Sequence, residues 1–200
     1  MTIKETNAKL VSLKAYGLNH NIPIIQDQSL IFLFQMIQLS QPKHILEIGT
    51  AIGYSAIAMA LYAPYALITT IEKNPAMTKI AKTHINQFNL AHQIHLVEGD
   101  ALTLTIDYYQ MPIDLLFIDA AKANNIRFFE RYEPYLSKQA IVIVDNVLFH
   151  NLSSTEVNSK PLKKMLVKLE QFRTYIIEKE GFDSAIYAIG DGISLSIKKV

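Results

Sequence analysis

The chain of 200 residues contains no cysteine. That removes disulfides, thiolate nucleophiles and the usual structural zinc sites in one step, and it fits a reducing compartment. An excess of one charge is missing too. The formal net charge is +1, so bulk electrostatics argue neither for nor against nucleic acid, and RNA contact would need a local patch. The sequence has no low-complexity stretch and no internal repeat, which sets aside linkers and solenoids. Long hydrophobic runs are also lacking. The longest apolar stretch, 56–68, is broken by Pro64 and carries Tyr62 and Tyr65, too short and interrupted to span a bilayer. The first seven residues are largely polar and mixed in charge, unlike a signal peptide. The expectation is a cytoplasmic protein with no membrane contact. The six histidines are scattered without metal-ligand spacing; only His20 and His150 are read as pocket candidates.

What is present is the composition of a packed domain: 50% hydrophobic and 18% charged residues. With no linker in sight, residues 1–200 are read as one domain, a helical region over about 1–40 and a sheet over about 43–200. Short β-branched runs alternate with helical patterns. A first helix runs to about Tyr16, with Gly17 as its stop. A second starts at Asp27 as N-cap and turns Leu30, Ile31, Leu33, Phe34 and Ile37 inward. Strands are expected at 45–48, 67–71, 94–97, 113–118 and 140–144, with helices at 54–63, 75–88, 102–109 and 125–136 between them. Asn74 and Pro75 read as an N-cap and an N1 proline. A helix over 161–179 turns Leu162, Met165, Leu166, Leu169, Phe172 and Ile176 to one side. Strands at 184–189 and 193–197 follow, and Gly190-Asp191-Gly192 between them is too short for a crossover helix, so they form an antiparallel hairpin. The predicted fold is α/β: a doubly wound, Rossmann-like sheet of about seven strands, mostly parallel, with helices on both faces.

The expected strands share a feature that stability does not require. Four of them end in, or run directly into, an acid: Glu47, Glu72, Asp119 and Asp145. Glu98 and Asp100 closely follow the third strand. One such acid is readily a helix cap or a loop residue; a row of them along one sheet edge marks the ligand side of an open α/β sheet. The first strand runs into Glu47-Ile48-Gly49-Thr50-Ala51-Ile52-Gly53-Tyr54-Ser55. This is not GxGxxG, whose middle glycine admits a pyrophosphate. S-adenosylmethionine has no phosphate and does not need that glycine. Glu72, 19 residues after Gly53, suits the ribose hydroxyls of an adenosine. Asp119, Asp145 and Asn146 are hard oxygen ligands that suit Mg²⁺, with Mn²⁺ also fitting. Lys122 follows Asp119 by three residues, at an edge where a lysine is more than a solvated charge.

These residues together resemble the catechol O-methyltransferase-like, metal-dependent class I methyltransferases. The resemblance covers about Leu18 to the C-terminus and rests on Leu46-Glu47-Ile48-Gly49 with Gly53-Tyr54-Ser55, on Glu72, on Gly99-Asp100-Ala101, on Asp119 with Lys122, and on Asp145-Asn146. More narrowly, Asn19-His20 through Pro23-Ile24-Ile25, and Ile45 through Tyr54-Ser55-Ala56-Ile57, are similar to the bacterial tRNA 5-hydroxyuridine methyltransferase branch. The resemblance implies that Ile25, Glu47, Gly49 and Ser55 line the methionine end of S-adenosylmethionine. Glu72 would hold the ribose, and Asp100 with Ala101 would flank the adenine. Asp119, Asp145 and Asn146 would bind Mg²⁺, Asp119 also approaching the cofactor, and Lys122 would be the base. It further implies a homodimer, with the N-terminal helices as the contact region.

The implied reaction moves a methyl group to the 5-hydroxyl of 5-hydroxyuridine at the wobble position, giving 5-methoxyuridine, with a tRNA anticodon stem-loop as partner. Lys160, Lys163, Lys164 and Lys168, and Arg127 with Arg131, are the candidate phosphate contacts. Tyr54 and Phe149 can stack on a base or simply pack. The alternative substrate is a small catechol or caffeoyl ester. Catechol has the same two neighbouring oxygens as the nucleobase, although Ala120 and Ala121 stand where the catechol enzymes carry bulky residues. A nicotinamide-dependent oxidoreductase is a more distant alternative, opposed by the missing GxGxxG, and a non-catalytic nucleotide- or RNA-binding module is opposed by the intact polar set.

Overall fold

A computed structural model describes residues 3–105, 111–149, 152–155 and 157–200. Seven strands form one sheet in the order β3-β2-β1-β4-β5-β7-β6. They are β1 (His44–Ile48), β2 (Leu67–Glu72), β3 (Ile94–Glu98), β4 (Ile113–Ile118), β5 (Leu136–Asp145), β6 (Phe182–Tyr187) and β7 (Ile193–Lys198). The pairs among β1 to β5 are parallel. β7 pairs antiparallel with both β5 and β6. The chain leaves β1 toward β2 and β3 on one side and returns to β4 and β5 on the other. The strand order therefore reverses between β1 and β4, where open α/β sheets open a crevice.

The period-2 alternation of the strands divides the core. Ile45, Ile68, Leu115 and Ile143 pack with Leu33 and Ile37 of α2 (Asp27–Ser40), with Ile57 of α3 (Tyr54–Tyr62) and with Ile85 of α4 (Pro75–Gln87). Their neighbours Leu46, Leu116, Val142 and Val144 pack with Phe128 and Phe129 of α5 (Asn125–Tyr132) and Phe172 and Ile176 of α6 (Lys160–Glu178). Each of these large apolar side chains contributes about 1.5–3 kcal/mol by leaving water. β1 is buried along its whole length, as a central parallel strand must be. One polar side chain supports the edge of this core. Gln93 donates through Nε2 to the carbonyls of Ala60, Ala63 and Ala66, at 3.1, 2.8 and 2.9 Å, satisfying the end of α3 and the turn after it.

Asn74 caps α4 as expected, its side chain accepting from Ala76 N at 3.0 Å, with Pro75 at the first helical position. Other boundaries differ from the sequence reading. Gly17 does not stop the first helix: α1 (Ile3–Asn19) runs through it. The glycine answers packing instead, since a Cβ there would lie 2.8 Å from Ile24 Cδ1. Gln26, rather than Asp27, is the N-cap of α2, and Asp27 forms an ion pair with Lys14 of α1. Ile31 is 57% exposed, while Phe32 and Ser29 are buried in its place. The helix expected over 125–136 ends at Tyr132. Pro134 follows in a tighter turn, and β5 begins early, at Leu136, with a register shift opposite Ile113 and Leu115. In α6 only Leu166, Leu169, Phe172 and Ile176 of the expected face are buried. Of the helix expected over 102–109, residues 102–105 form a turn and coil rather than helix, and 106–109 lie outside the described residues.

Candidate active site

The carboxyl ends of β1, β2 and β4 enclose a cavity of about 310 Å³, at the low end of the range for small-molecule sites. Its floor is the turn from β1 into α3. Gly49 N donates to Ile71 O at 3.0 Å, and Asp119 N donates to Ile48 O at 3.0 Å, so the turn is tied to both neighbouring strand ends. Gly49 has φ +105°, and any Cβ there would run into the carbonyl oxygen of Asp119. Only glycine lets β1 and β4 meet so closely. Gly53, at φ +85°, caps α3 in the left-handed region.

Glu72 leaves the end of β2 and lines the cavity. Its Oε2 accepts from Ala51 N at 2.8 Å and its Oε1 from Asn74 N at 2.8 Å. Each oxygen keeps acceptor capacity for a ligand hydroxyl, and the two backbone bonds hold the carboxylate still. Asp100 and Ala101, after the end of the neighbouring strand β3, also line the cavity. Asp100 Oδ1 accepts from Leu102 N at 2.8 Å, which fixes the turn after β3. Ile25, Gly49 and Ser55 also line the cavity. Glu47, expected beside them, stands one layer behind. It is fully buried, is not part of the cavity wall, and accepts hydrogen bonds from Ser55 Oγ and Thr70 Oγ1. Burial pushes its carboxyl up to about 7.

Asp119 ends β4, and Asp145 with Asn146 ends β5 next to it. Asn146 Nδ2 lies 3.2 Å from Asp119 Oδ1 and 3.2 Å from Asp145 Oδ2. Three side chains distant in the sequence thus converge on one point. Asn146 reaches it from a left-handed backbone, φ +62°, a conformation asparagine tolerates better than most residues. Burial first, and the charge of Asp119 second, push Asp145 up to about 7. Burial also raises Asp119, partly offset by the nearby charge of Lys122 and by the Asn146 hydrogen bond.

The spacing of this set fits a small divalent cation. Metal–oxygen bonds of 2.0–2.1 Å at right angles put neighbouring ligand atoms about 3.0 Å apart. A half-turn of the Asn146 amide places its oxygen where Nδ2 stands. Two adjacent carboxylates whose charged forms burial disfavours are the electrostatic setting that a divalent charge relieves.

Lys122 lines the same cavity three residues beyond Asp119, with its ammonium 5.7 Å from the ring centre of Phe149. Ala120 and Ala121 line the wall between Asp119 and Lys122. Tyr54 lines the cavity but is buried, 5% exposed. His20 is exposed in the turn just after α1, stacked on Tyr16; His150 lies outside the described residues. Arg131 donates to the carbonyl of Leu104 and lies 6.0 Å from the Tyr132 ring, so part of its guanidinium is engaged by the protein itself. Arg127 and the four lysines of α6 are exposed.

Two polar residues beneath the site went unnoticed in the sequence. Thr70 links Glu47 to Thr50 of the glycine turn, and Ser29 of α2 donates to Asp145. A hydroxyl in the middle of an apolar strand or helix face carries a faint signal, the missing hydrophobe, but nothing that names its distant partner.

A family model described as O-methyltransferase matches residues 4–199. The catechol O-methyltransferase of Mycobacterium tuberculosis is 32% identical over 118 residues; the match takes in 58% of this chain and only 54% of that protein's length. A Staphylococcus aureus structure, provisionally classed as a caffeoyl-CoA O-methyltransferase, is 34% identical with a TM-score of 0.88 and covers 94% of this chain and 91% of its own. The O-methyltransferase TomG of Streptomyces achromogenes, solved with S-adenosylmethionine, shares the fold at 22% identity and a TM-score of 0.82, over 96% of this chain and 90% of that one.

Proposed function

The chain belongs to the O-methyltransferase family, and from that premise we propose that it transfers a methyl group from S-adenosylmethionine to one of two neighbouring oxygens of its substrate, with Mg²⁺ or Mn²⁺ held at Asp119, Asp145 and Asn146. One observation carries the reading: the Asp119–Asp145–Asn146 cluster adjoins a cavity whose walls are the Gly49 turn, Glu72, Asp100 and Lys122. When bound, S-adenosylmethionine supplies a methyl already activated on a sulfonium, and the cation supplies positive charge that lowers the pKa of a coordinated hydroxyl.

The protein's own part is placement and proton transfer. Glu72 receives the ribose hydroxyls on a carboxylate that the Ala51 and Asn74 amides hold in place. Asp100 and Ala101 flank the adenine. Ile25, Gly49 and Ser55 enclose the methionine end and exclude water. Lys122 Nζ takes the proton from the substrate hydroxyl. Holding donor and acceptor in line accounts for much of the rate, and a placed base adds about 10²–10⁴-fold.

For the substrate, the relatives favour a small catechol or caffeoyl-CoA-type molecule. A second reading, 5-hydroxyuridine in a tRNA anticodon stem-loop, is favoured by the two alanines between Asp119 and Lys122, which leave the wall open to a bulkier acceptor. Assaying methyl transfer to catechol, to caffeoyl-CoA and to an anticodon stem-loop bearing 5-hydroxyuridine separates the two. In whichever assay is positive, Lys122→Ala is expected to lower turnover at least about 10²-fold while calorimetric affinity for S-adenosylmethionine stays as in the wild type. Undiminished turnover would remove Lys122 as the base.

A further inference from the structure

Ser29 occupies a position on the buried face of α2 where the amphipathic pattern calls for an apolar residue. It is 1% exposed. Its hydroxyl donates to Asp145 Oδ1 at 3.1 Å, across 116 residues of sequence. The other oxygen of the same carboxylate, Oδ2, accepts from Asn146 Nδ2 at 3.2 Å. The two oxygens of Asp145 therefore have different partners, one on α2 and one in the polar cluster. The turn between β6 and β7 closes over this arrangement. A Cβ on Gly190 would lie 2.7 Å from Ser29 Oγ, and Gln26 Nε2 donates to Asp191 Oδ2 at 2.8 Å beside it.

We propose that Ser29 is a positioning residue for the cation site: its hydroxyl holds Oδ1 of Asp145 so that Oδ2 alone faces a divalent ion shared with Asp119 and Asn146. The inference rests on the cation reading above. Rotation of a carboxylate about its last bond is soft, so an unheld aspartate alternates between one-oxygen and two-oxygen binding. A small ion of octahedral demand, Mg²⁺ or Mn²⁺, is served by one oxygen per carboxylate. Ca²⁺ is larger and accepts two. Pinning Oδ1 thus selects for the smaller ions, and outer hydrogen bonds of this kind are worth about 10–100-fold in metal affinity.

The test uses the full-length protein and Mn²⁺ as probe, with free Mn²⁺ followed by electron paramagnetic resonance and Ca²⁺ added as competitor. Ser29→Ala is expected to weaken Mn²⁺ binding about ten-fold or more and to narrow the preference for Mn²⁺ over Ca²⁺. Gln26→Ala loosens the same contact between α2 and the hairpin but leaves the Ser29 hydroxyl, and is expected to bind both ions as the wild type does. Unchanged Mn²⁺ affinity and selectivity in Ser29→Ala would overturn the inference. So would an equal loss in Gln26→Ala, which would assign the effect to helix docking. Failure of the cation reading looks different: wild type and Asp145→Asn would then show the same weak Mn²⁺ binding.

Discussion

A carboxylate inside a central parallel strand is an expensive choice, and Glu47 is buried in one without a cation beside it among its described contacts. Hydroxyls from Ser55 and Thr70 satisfy its two oxygens, yet burial outweighs them and lifts its carboxyl to about 7 from an ordinary 4.5. The native state therefore holds a proton that the unfolded chain has released between these values. Stability linked to Glu47 is complete below about pH 4.5 and is lost as the pH rises through about 7, up to about 3 kcal/mol in all. Urea denaturation of the metal-free protein at pH 5 and pH 8 is expected to show this fall, and Glu47→Gln to show a shallower one. Equal falls in both proteins would mean that Glu47 is ionised at pH 5. The sequence placed an acid at this point correctly but assigned it to the cavity wall. A strand pattern does not tell whether the side chain faces the cavity or lies behind the turn that lines it.

At the scale of elements, the approach of β1 to β4 is the tightest constraint on the site. Gly49 has no room for a Cβ because the atom in its way is backbone, the Asp119 carbonyl oxygen. Accommodating a methyl group would move the end of β4, and with it Asp119. Gly49→Ala is expected to cost about 3 kcal/mol or more, steric displacement being added to a strained φ. Gly181→Ala is the matched control. Its φ is +80° and no atom lies within 4 Å of the added methyl, so only the backbone strain of about 1 kcal/mol remains. Thermal melts of the two variants compare them directly; equal losses would mean that the Asp119 contact relaxes freely. The element boundaries that the sequence misplaced have causes of the same kind. Gly17 reads as a helix stop by propensity, but Ile24 packs where its side chain would be. Ile31 fits an apolar period, but α2 turns Ser29 and Phe32 inward.

At the scale of the molecule, the sheet order puts the ends of β4 and β5 side by side, so that two acids 26 residues apart share one buried cluster. Burial disfavours both charges, and the charge of Asp119 adds to the effect at Asp145. A ligand that binds only the native state stabilises it by mass action, about 2.7 kcal/mol at a hundred times its dissociation constant. For a domain of this size, saturating Mg²⁺ is expected to raise the melting temperature by about 5–10 °C. EDTA should reverse the rise, and Asp145→Asn should abolish it. A melting temperature indifferent to Mg²⁺ would remove the cation from the proposed reaction.

The order of elements, the parallel sheet with its terminal hairpin, and the acids at the strand ends were all legible in the amino-acid order. Each depends on local periodicity or on turn residues such as Asn74-Pro75 and Gly190-Asp191-Gly192, which act over a few residues. The family, too, follows from short motifs in fixed order. What required the tertiary structure was every relation between distant side chains: Glu47 behind Ser55, Asn146 within 3.2 Å of two aspartates, Arg131 bound to the Leu104 carbonyl, and Ser29 on Asp145. A hydrogen bond spans about 3 Å whatever the number of residues between its ends. Only packing of the two helical layers onto the sheet brings such partners within reach.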